Sequence, residues 1–267
     1  MTELPQLHST VVGQGPARLV FLHGLFGQGK NFTQVAKAVG DLATSTLVDL
    51  PNHGRSEWSD STDYRMMADA VIALLEQMDG PVGLIGHSMG GKVAMRVALQ
   101  RPDLVQRLMV VDISPVKGLG SSFDTLIGSM QSLDLNAITS RSDADEKLAV
   151  GIPNPVVRGF LMQNLRHEPG PDGQRTWHWQ MNLHALARDL RTHVADWPDT
   201  DDRTYPGPVL WVAGEHSDYI RPEAAPAMRA LFPKVITVTI KGAGHWVHSE
   251  QPEAFVSTLR HFLTMGS

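Results

Sequence analysis

Four short apolar runs in the first 114 residues show almost no polar alternation: RLVFLH (18–23), TLVDL (46–50), VGLI (82–85) and LMVVDI (108–113). A strand with one face in water alternates apolar and polar residues; an unbroken apolar run suits a strand covered on both faces. Helical periodicity fills the gaps. Phe32, Val35, Ala36 and Val39 recur at helical spacing within 31–42, Met67, Ala68, Val71, Leu74, Leu75 and Met78 within 64–78, and a further helix fits 90–100 before Arg101-Pro102. This alternation predicts an α/β chain with a mainly parallel central sheet and helices on both faces. HSTVV near the start is read as an added edge strand, and strands return at 209–213 and 235–240.

From Pro115 the pattern changes. Phe123, Leu126, Ile127, Met130 and Leu133 line one helix face, Val157, Phe160, Leu161 and Asn164 a second, and Leu183, Leu186 and Leu190 a third. PNP and EPGPDG between them are loop signals. No strand is expected here. The reading is a core made of residues 1–114 and 207–267, interrupted by a helical cap, or lid, over 115–206.

Composition removes several function classes. The 267 residues are 42% apolar, carry a formal charge of −5 and contain no cysteine, so disulfides, thiolate metal sites and cysteine nucleophiles are excluded together. Basic residues are scattered, which argues against nucleic-acid binding. No apolar window is long enough to span a membrane. The N-terminal MTELPQLHSTVVGQG lacks a basic stretch followed by an apolar one, so no signal peptide is expected, and the chain reads as cytoplasmic. Monomer and dimer both stay open.

The sharpest chemical signal is VGLIGHSMGG, in which Gly86-His87-Ser88-Met89-Gly90 matches G-x-S-x-G between a strand and a helix. Glycines two before and two after Ser88 let neighbouring backbone pass closely, and the turn lifts Oγ to a helix N-terminus that favours negative charge. A serine hydroxyl needs a base. KGAGHWVHSEQP, directly after the last strand, offers His245 on a glycine-rich loop; His248 fits a capping or packing role. His23-Gly24-Leu25-Phe26-Gly27 follows its strand beside the elbow. Backbone N–H groups of Leu25 and Met89 are therefore the candidate oxyanion donors, and His23 is read as structural.

HGLFG, DLPNHGRS, GHSMGG and GAGHWVH in this order, with a helical insert, resemble the α/β-hydrolase superfamily over essentially the whole chain. Within it, GHSMGGKVAM, VVDISPV and GAGHWVHSEQP are similar to small esterases of the YbfF and ABHD11 type. The resemblance implies Ser88 as nucleophile, His245 as base, Leu25 and Met89 as oxyanion donors, a structural role for Asp49-Leu50-Pro51 and Gly54-Arg55-Ser56, and a lid inserted after the sixth strand.

One element departs from the common pattern. The superfamily's acid usually stands fourth in a G-x-x-D stretch after the strand at 209–213, and GEHSDYI has Ser217 there. Asp218 is one residue late. Asp112 lies at the end of LMVVDI, on a strand expected between the elbow strand and the 209–213 strand. An aspartate in an apolar strand needs a partner, because a buried lone charge is costly. The YbfF-type resemblance also implies an acid after this earlier strand. Asp112 is favoured, Asp218 is the alternative, and Glu215 is a poor third.

The expected activity is carboxylic ester hydrolysis on small to medium acyl esters, through an acyl-enzyme on Ser88. No cofactor and no metal is expected; His178 and His184 in HWQMNLH have the wrong spacing for one helix face. Phe26, Trp177, Asn182 and Trp246 are candidate substrate contacts, while Trp179, Met181, Phe123, Met130 and Met162 are chiefly packing residues. Acyl transfer to an alcohol, or a ligand-binding receptor on the same scaffold, are the alternatives.

Overall fold

Leu19 and Phe21 pack on one face of a central sheet while Val20 and Leu22 pack on the other, and all four are buried. The same division holds along the neighbouring strands, which explains their unbroken apolar sequence. The computed structural model describes residues 3–118, 121–170, 173–197 and 203–264.

In chain order the elements that build the sheet are β1 (Ser9–Val12), β2 (Ala17–Leu22), α1 (Thr33–Ala38), β3 (Ala43–Val48), α2 (Tyr64–Leu75), β4 (Val82–His87), α3 (Met89–Gln100) and β5 (Val105–Val111). Next come α4 (Ser121–Gln131), α5 (Arg141–Leu148), α6 (Pro155–Met162), β6 (Leu165–Pro169), β7 (Arg175–Trp179) and α7 (Leu183–Asp189). The chain returns with β8 (Val209–Gly214), α8 (Ala225–Leu231), β9 (Val235–Ile240), α9 (Val247–Glu250) and α10 (Pro252–Thr264). The seven-stranded sheet runs β1-β3-β2-β4-β5-β8-β9. Only β1 is antiparallel to its neighbour; every other pair is parallel. Helices α2, α3 and α8 bury Met67, Val93, Val97 and Met228 against one face, and α1 and α10 bury Val35, Phe255 and Leu259 against the other. β5 therefore lies between β4 and β8, and the ends of all three open at one edge.

The structure corrects several expectations. Five strands, not six, precede residue 115 among the described residues. The segment expected to hold no strand contains the antiparallel hairpin β6–β7, with Leu165 opposite Trp179 and Pro169 opposite Arg175. Its turn is closed by the Gly170 N–H donating to the Gln174 carbonyl at 2.7 Å and the Gly173 N–H to the Gly170 carbonyl at 2.9 Å. The EPGPDG loop signal thus belongs to a hairpin whose strands, short and half exposed, carry too few apolar residues for a strand pattern. The helix expected over 31–42 is a 3₁₀ turn, Gly29–Phe32, followed by the shorter α1. Among the described residues no helix is long and apolar enough to cross a membrane.

Asp49, just past β3, fixes the sheet edge. Its carboxylate is buried and accepts from the backbone N–H of Gly29 at 2.7 Å and of Arg55 at 2.9 Å. Ser56 Oγ donates to the Asp49 carbonyl at 2.5 Å. This is the physical content of the DLPNHGRS stretch. Asp49→Ala strands one buried and one part-buried donor, so it is expected to cost about 2–3 kcal/mol of stability, read as a lower urea midpoint. A loss below about 0.5 kcal/mol, the scale of an ordinary surface change, would contradict this role.

Candidate active site

β4 runs straight into the elbow. Ser88 has φ 52° and ψ −121°, a left-handed conformation that costs a non-glycine residue about 1–3 kcal/mol. Its N–H donates to the Val111 carbonyl at 2.9 Å. The flanking glycines are needed sterically: a Cβ on Gly86 would sit 2.2 Å from the Gly90 carbonyl oxygen, and one on Gly90 would sit 2.4 Å from the Leu22 carbonyl oxygen. Ser88 Oγ lies 3.0 Å from His245 Nε2. His245 hangs from the loop between β9 and α9, and the Glu250 carboxylate holds that loop by accepting from the Gly244 and Trp246 N–H groups at 2.7 and 3.1 Å.

The other ring nitrogen of His245, Nδ1, lies 2.7 Å from Asp112 Oδ2. Asp112 follows β5 directly, is fully buried and has a φ of 52°. Its Oδ1 accepts from the Gly214 N–H at 3.0 Å. Ser217, in the slot where the superfamily usually carries its acid, donates its hydroxyl to Asp112 Oδ2. The His245 ring bonds to Asp112 and Ser88 and makes no hydrogen bond to Asp218. Asp218 is exposed, lines an open depression with His216 and Arg221, and its carbonyl accepts from Arg221 Nε at 3.4 Å. Glu215 accepts from the Gly242 N–H at 2.9 Å, away from the imidazole.

Ser88 opens on two mostly apolar cavities. One is lined by Gly24, Leu25, Phe26, Phe123, Phe160 and Trp246 among others. The second is lined by Leu25, Met89, Lys92, Ile113, Phe123 and Tyr219 among others. Leu25 and Met89 both border the second cavity beside Ser88. Met89 is the first residue of α3, so its N–H has no intrahelical acceptor. Among the described residues the Leu25 N–H meets no acceptor. Gly24 lets this loop close on the elbow, since a Cβ there would lie 2.9 Å from His87 Nδ1 and 3.1 Å from Ser88 Cβ.

Of the four expected substrate contacts, Phe26 and Trp246 line the first cavity. Asn182 and Trp177 line neither. Asn182 caps α7, accepting from the Ala185 N–H at 3.2 Å and donating to Asn52 Oδ1 at 3.1 Å. Trp177 stacks on His167 across the hairpin, with ring centroids 4.5 Å apart. Both polar and aromatic promise were already spent on local structure.

Several neighbours escape sequence reasoning. His87, the variable residue inside G-x-S-x-G, donates Nε2–H to the His245 carbonyl at 2.8 Å and so ties the His245 backbone to the elbow. Tyr219 lies flat on the His245 ring, with centroids 3.9 Å apart and planes 22° apart. His53 accepts the Phe26 N–H at 3.2 Å and Asn164 donates to the Phe26 carbonyl at 2.8 Å, which holds that peptide on both sides. Only the DLPNHGRS motif hinted at His53. No cluster of three His, Cys, Asp or Glu side chains that could hold a metal ion occurs among the described residues.

Around this core sit four buried neutral imidazoles. His23 donates to the Gly24 carbonyl at 2.8 Å and accepts the Leu50 N–H at 2.9 Å. Burial pushes its pKa down to about 4, that of His53 to about 3 and that of His248 to about 4. Burial lowers His87 well below the ordinary value, with the nearby His245 adding to the effect. A group whose folded pKa is depressed stays neutral in the fold while the unfolded chain takes up a proton below about pH 6.5. Stability is therefore expected to be flat above about pH 7 and to fall steadily between about 6.5 and 4. Urea midpoints across that range check this; an unchanged midpoint at pH 4.5 would contradict the neutral burial of these rings.

The match to the alpha/beta hydrolase family spans residues 19–258. The mouse sn-1-specific diacylglycerol lipase ABHD11 is 38% identical over 253 residues, which cover 92% of this chain and 80% of that one. Esterase YbfF of Escherichia coli K12 is 28% identical over 246 residues, covering 92% of each. A solved marine microorganism esterase superposes with a TM-score of 0.90 at 32% identity, over 97% of this chain and 99% of that one. With the match running from the second strand into the last helix, and relatives this similar along nearly the whole length, the chain belongs to the alpha/beta hydrolase family.

Proposed function

We propose that the protein is a serine carboxylesterase acting on small to medium acyl esters. The observation that carries this reading is the unbroken hydrogen-bond chain from Ser88 Oγ through both nitrogens of His245 to a buried Asp112. The named relatives, an esterase and a diacylglycerol lipase, support the reaction class.

Ser88 Oγ attacks the ester carbonyl carbon as His245 Nε2 takes its proton. Asp112 keeps the Nδ1–H tautomer facing away from Ser88 and stabilises the imidazolium. The carbonyl oxygen becomes an oxyanion on the N–H groups of Leu25 and Met89, where each donor is worth about 100-fold or more in rate. The tetrahedral intermediate collapses: the C–O bond to the alcohol breaks and His245 returns its proton to the leaving alkoxide. Water then attacks the Ser88 ester with His245 as base. The second collapse restores the Ser88 hydroxyl and releases the acid.

Residues 115–206 act in this reading as a cap over a core of 1–114 and 207–267. They supply Phe123, Leu126, Val157, Phe160 and Leu161 to the first cavity's wall, which suits an aliphatic chain. The alcohol and acyl portions would occupy the two cavities that meet at Ser88.

Turnover of p-nitrophenyl esters by variants tests the roles. Ser88→Ala is expected to lose both hydrolysis and labelling by a fluorophosphonate. Asp112→Asn keeps the shape but favours the wrong tautomer, and should lose ~10⁴-fold in kcat, whereas Asp218→Asn should lose less than about tenfold. The opposite ranking of the two aspartates would reject the assignment of the acid.

A further inference from the structure

α3 contributes one polar side chain to the lining of the cavity beside Ser88. Lys92 stands one helical turn after Ser88, and its N–H donates to the Ser88 carbonyl at 3.2 Å. It is 1% exposed and lines the same cavity as Ser88, Leu25 and Met89, whose other walls are mostly apolar. An ammonium in such a place is costly unless its charge is compensated. Among the described residues the compensation is incomplete. Nζ donates to the Asp196 carbonyl at 2.6 Å and, at a longer 3.4 Å, to the Ala195 carbonyl; the Tyr64 ring centre lies 5.6 Å away. The Asp196 carboxylate accepts instead from the Trp197 N–H at 2.9 Å. Among the described residues no carboxylate lies within ion-pair distance of Lys92. Burial pulls the ammonium down to about 8, partly opposed by Asp196, as befits a cation short of a counterion.

We propose that Lys92 makes this cavity a site for acyl chains that end in a carboxylate, so that monoesters of dicarboxylic acids are preferred substrates. The proposal rests on the esterase reading and names its substrate class. An ammonium has three donors, and two of its acceptors here are neutral carbonyls. A substrate carboxylate would add a charge-assisted hydrogen bond in a water-poor cavity, where such a bond is at its strongest. The acyl portion stays attached to Ser88 after the alcohol has left. Contact with Lys92 therefore acts on acylation and deacylation alike.

The test compares monoethyl esters of dicarboxylic acids, from glutarate to suberate, with ethyl esters of monocarboxylic acids of the same chain lengths. Acid release is followed by titration at neutral pH for the wild type and Lys92→Met. At one chain length the wild type should favour the anionic ester by about tenfold or more in kcat/KM, the scale of a charge-assisted bond. In Lys92→Met the ratio should fall below one while neutral esters are still hydrolysed. A ratio taken within one protein cancels any loss of folded enzyme, so a purely structural lysine would leave it unchanged. An unchanged ratio, or a wild type that prefers the neutral ester at every length, overturns the proposal. Should Lys92→Met fail to fold, the wild-type ratios decide. Hydrolysis of neutral esters without anionic preference removes this proposal and leaves the esterase reading standing; no hydrolysis of either class removes both.

Discussion

A carboxylate with no exposure to solvent organises this molecule. Asp112 sits at the end of β5 in a left-handed backbone conformation and cannot remain charged there without partners. Three groups answer it: the Gly214 N–H at the end of β8, the Ser217 hydroxyl beyond it, and His245 Nδ1 from the loop after β9. One side chain thus joins its own strand end to two other segments of the chain, 214–217 and the His245 loop, at a single edge of the sheet. Ser88 adds a fourth, since its N–H takes the Val111 carbonyl immediately before Asp112. The cost of burying the charge and the strain at two left-handed residues are both offset by the alignment they produce.

The rest of the site is built to keep that alignment dry and rigid. His87 anchors the His245 backbone from below, Tyr219 covers the face of its ring, and His248 stacks on Phe32 at 4.5 Å beneath the loop. His23 and His53 stay neutral and tie the loop that carries Leu25 and Phe26, through the Gly24 carbonyl and the Phe26 N–H, to the segment after β3, through the Leu50 N–H and the Pro51 carbonyl. None of these imidazoles needs to titrate in the reaction. Their neutrality near pH 7 keeps extra positive charge away from the His245 ring.

The sheet was legible because its strands are buried on both faces, and burial on both faces leaves long apolar runs. The neighbourhood of Ser88 and His245 was legible because a tight elbow and a closely packed loop demand glycine at fixed offsets. Asp112 stood out as a charge inside an apolar strand, and Ser217 explains the odd spelling of GEHSDYI: the hydroxyl in the usual acid position hydrogen-bonds to the carboxylate from the neighbouring strand. The hairpin β6–β7 was hidden because its five-residue strands are half exposed. The local contacts of Asn182 and Trp177 were hidden because a polar or aromatic side chain reads alike whether it faces a cavity or a helix end. Lys92 could not be singled out at all, since a lysine on a helix is ordinarily solvated and only the packing of Ala195 and Asp196 over α3 encloses it.

The account depends most on which carboxylate holds the imidazole. A strongly hydrogen-bonded His245 Nδ1–H should give a far-downfield proton resonance in a one-dimensional NMR spectrum at low temperature. That signal should persist when Asp218 is neutralised to asparagine and vanish when Asp112 is. A resonance that survives in Asp112→Asn and disappears in Asp218→Asn would contradict the arrangement on which the rest is built.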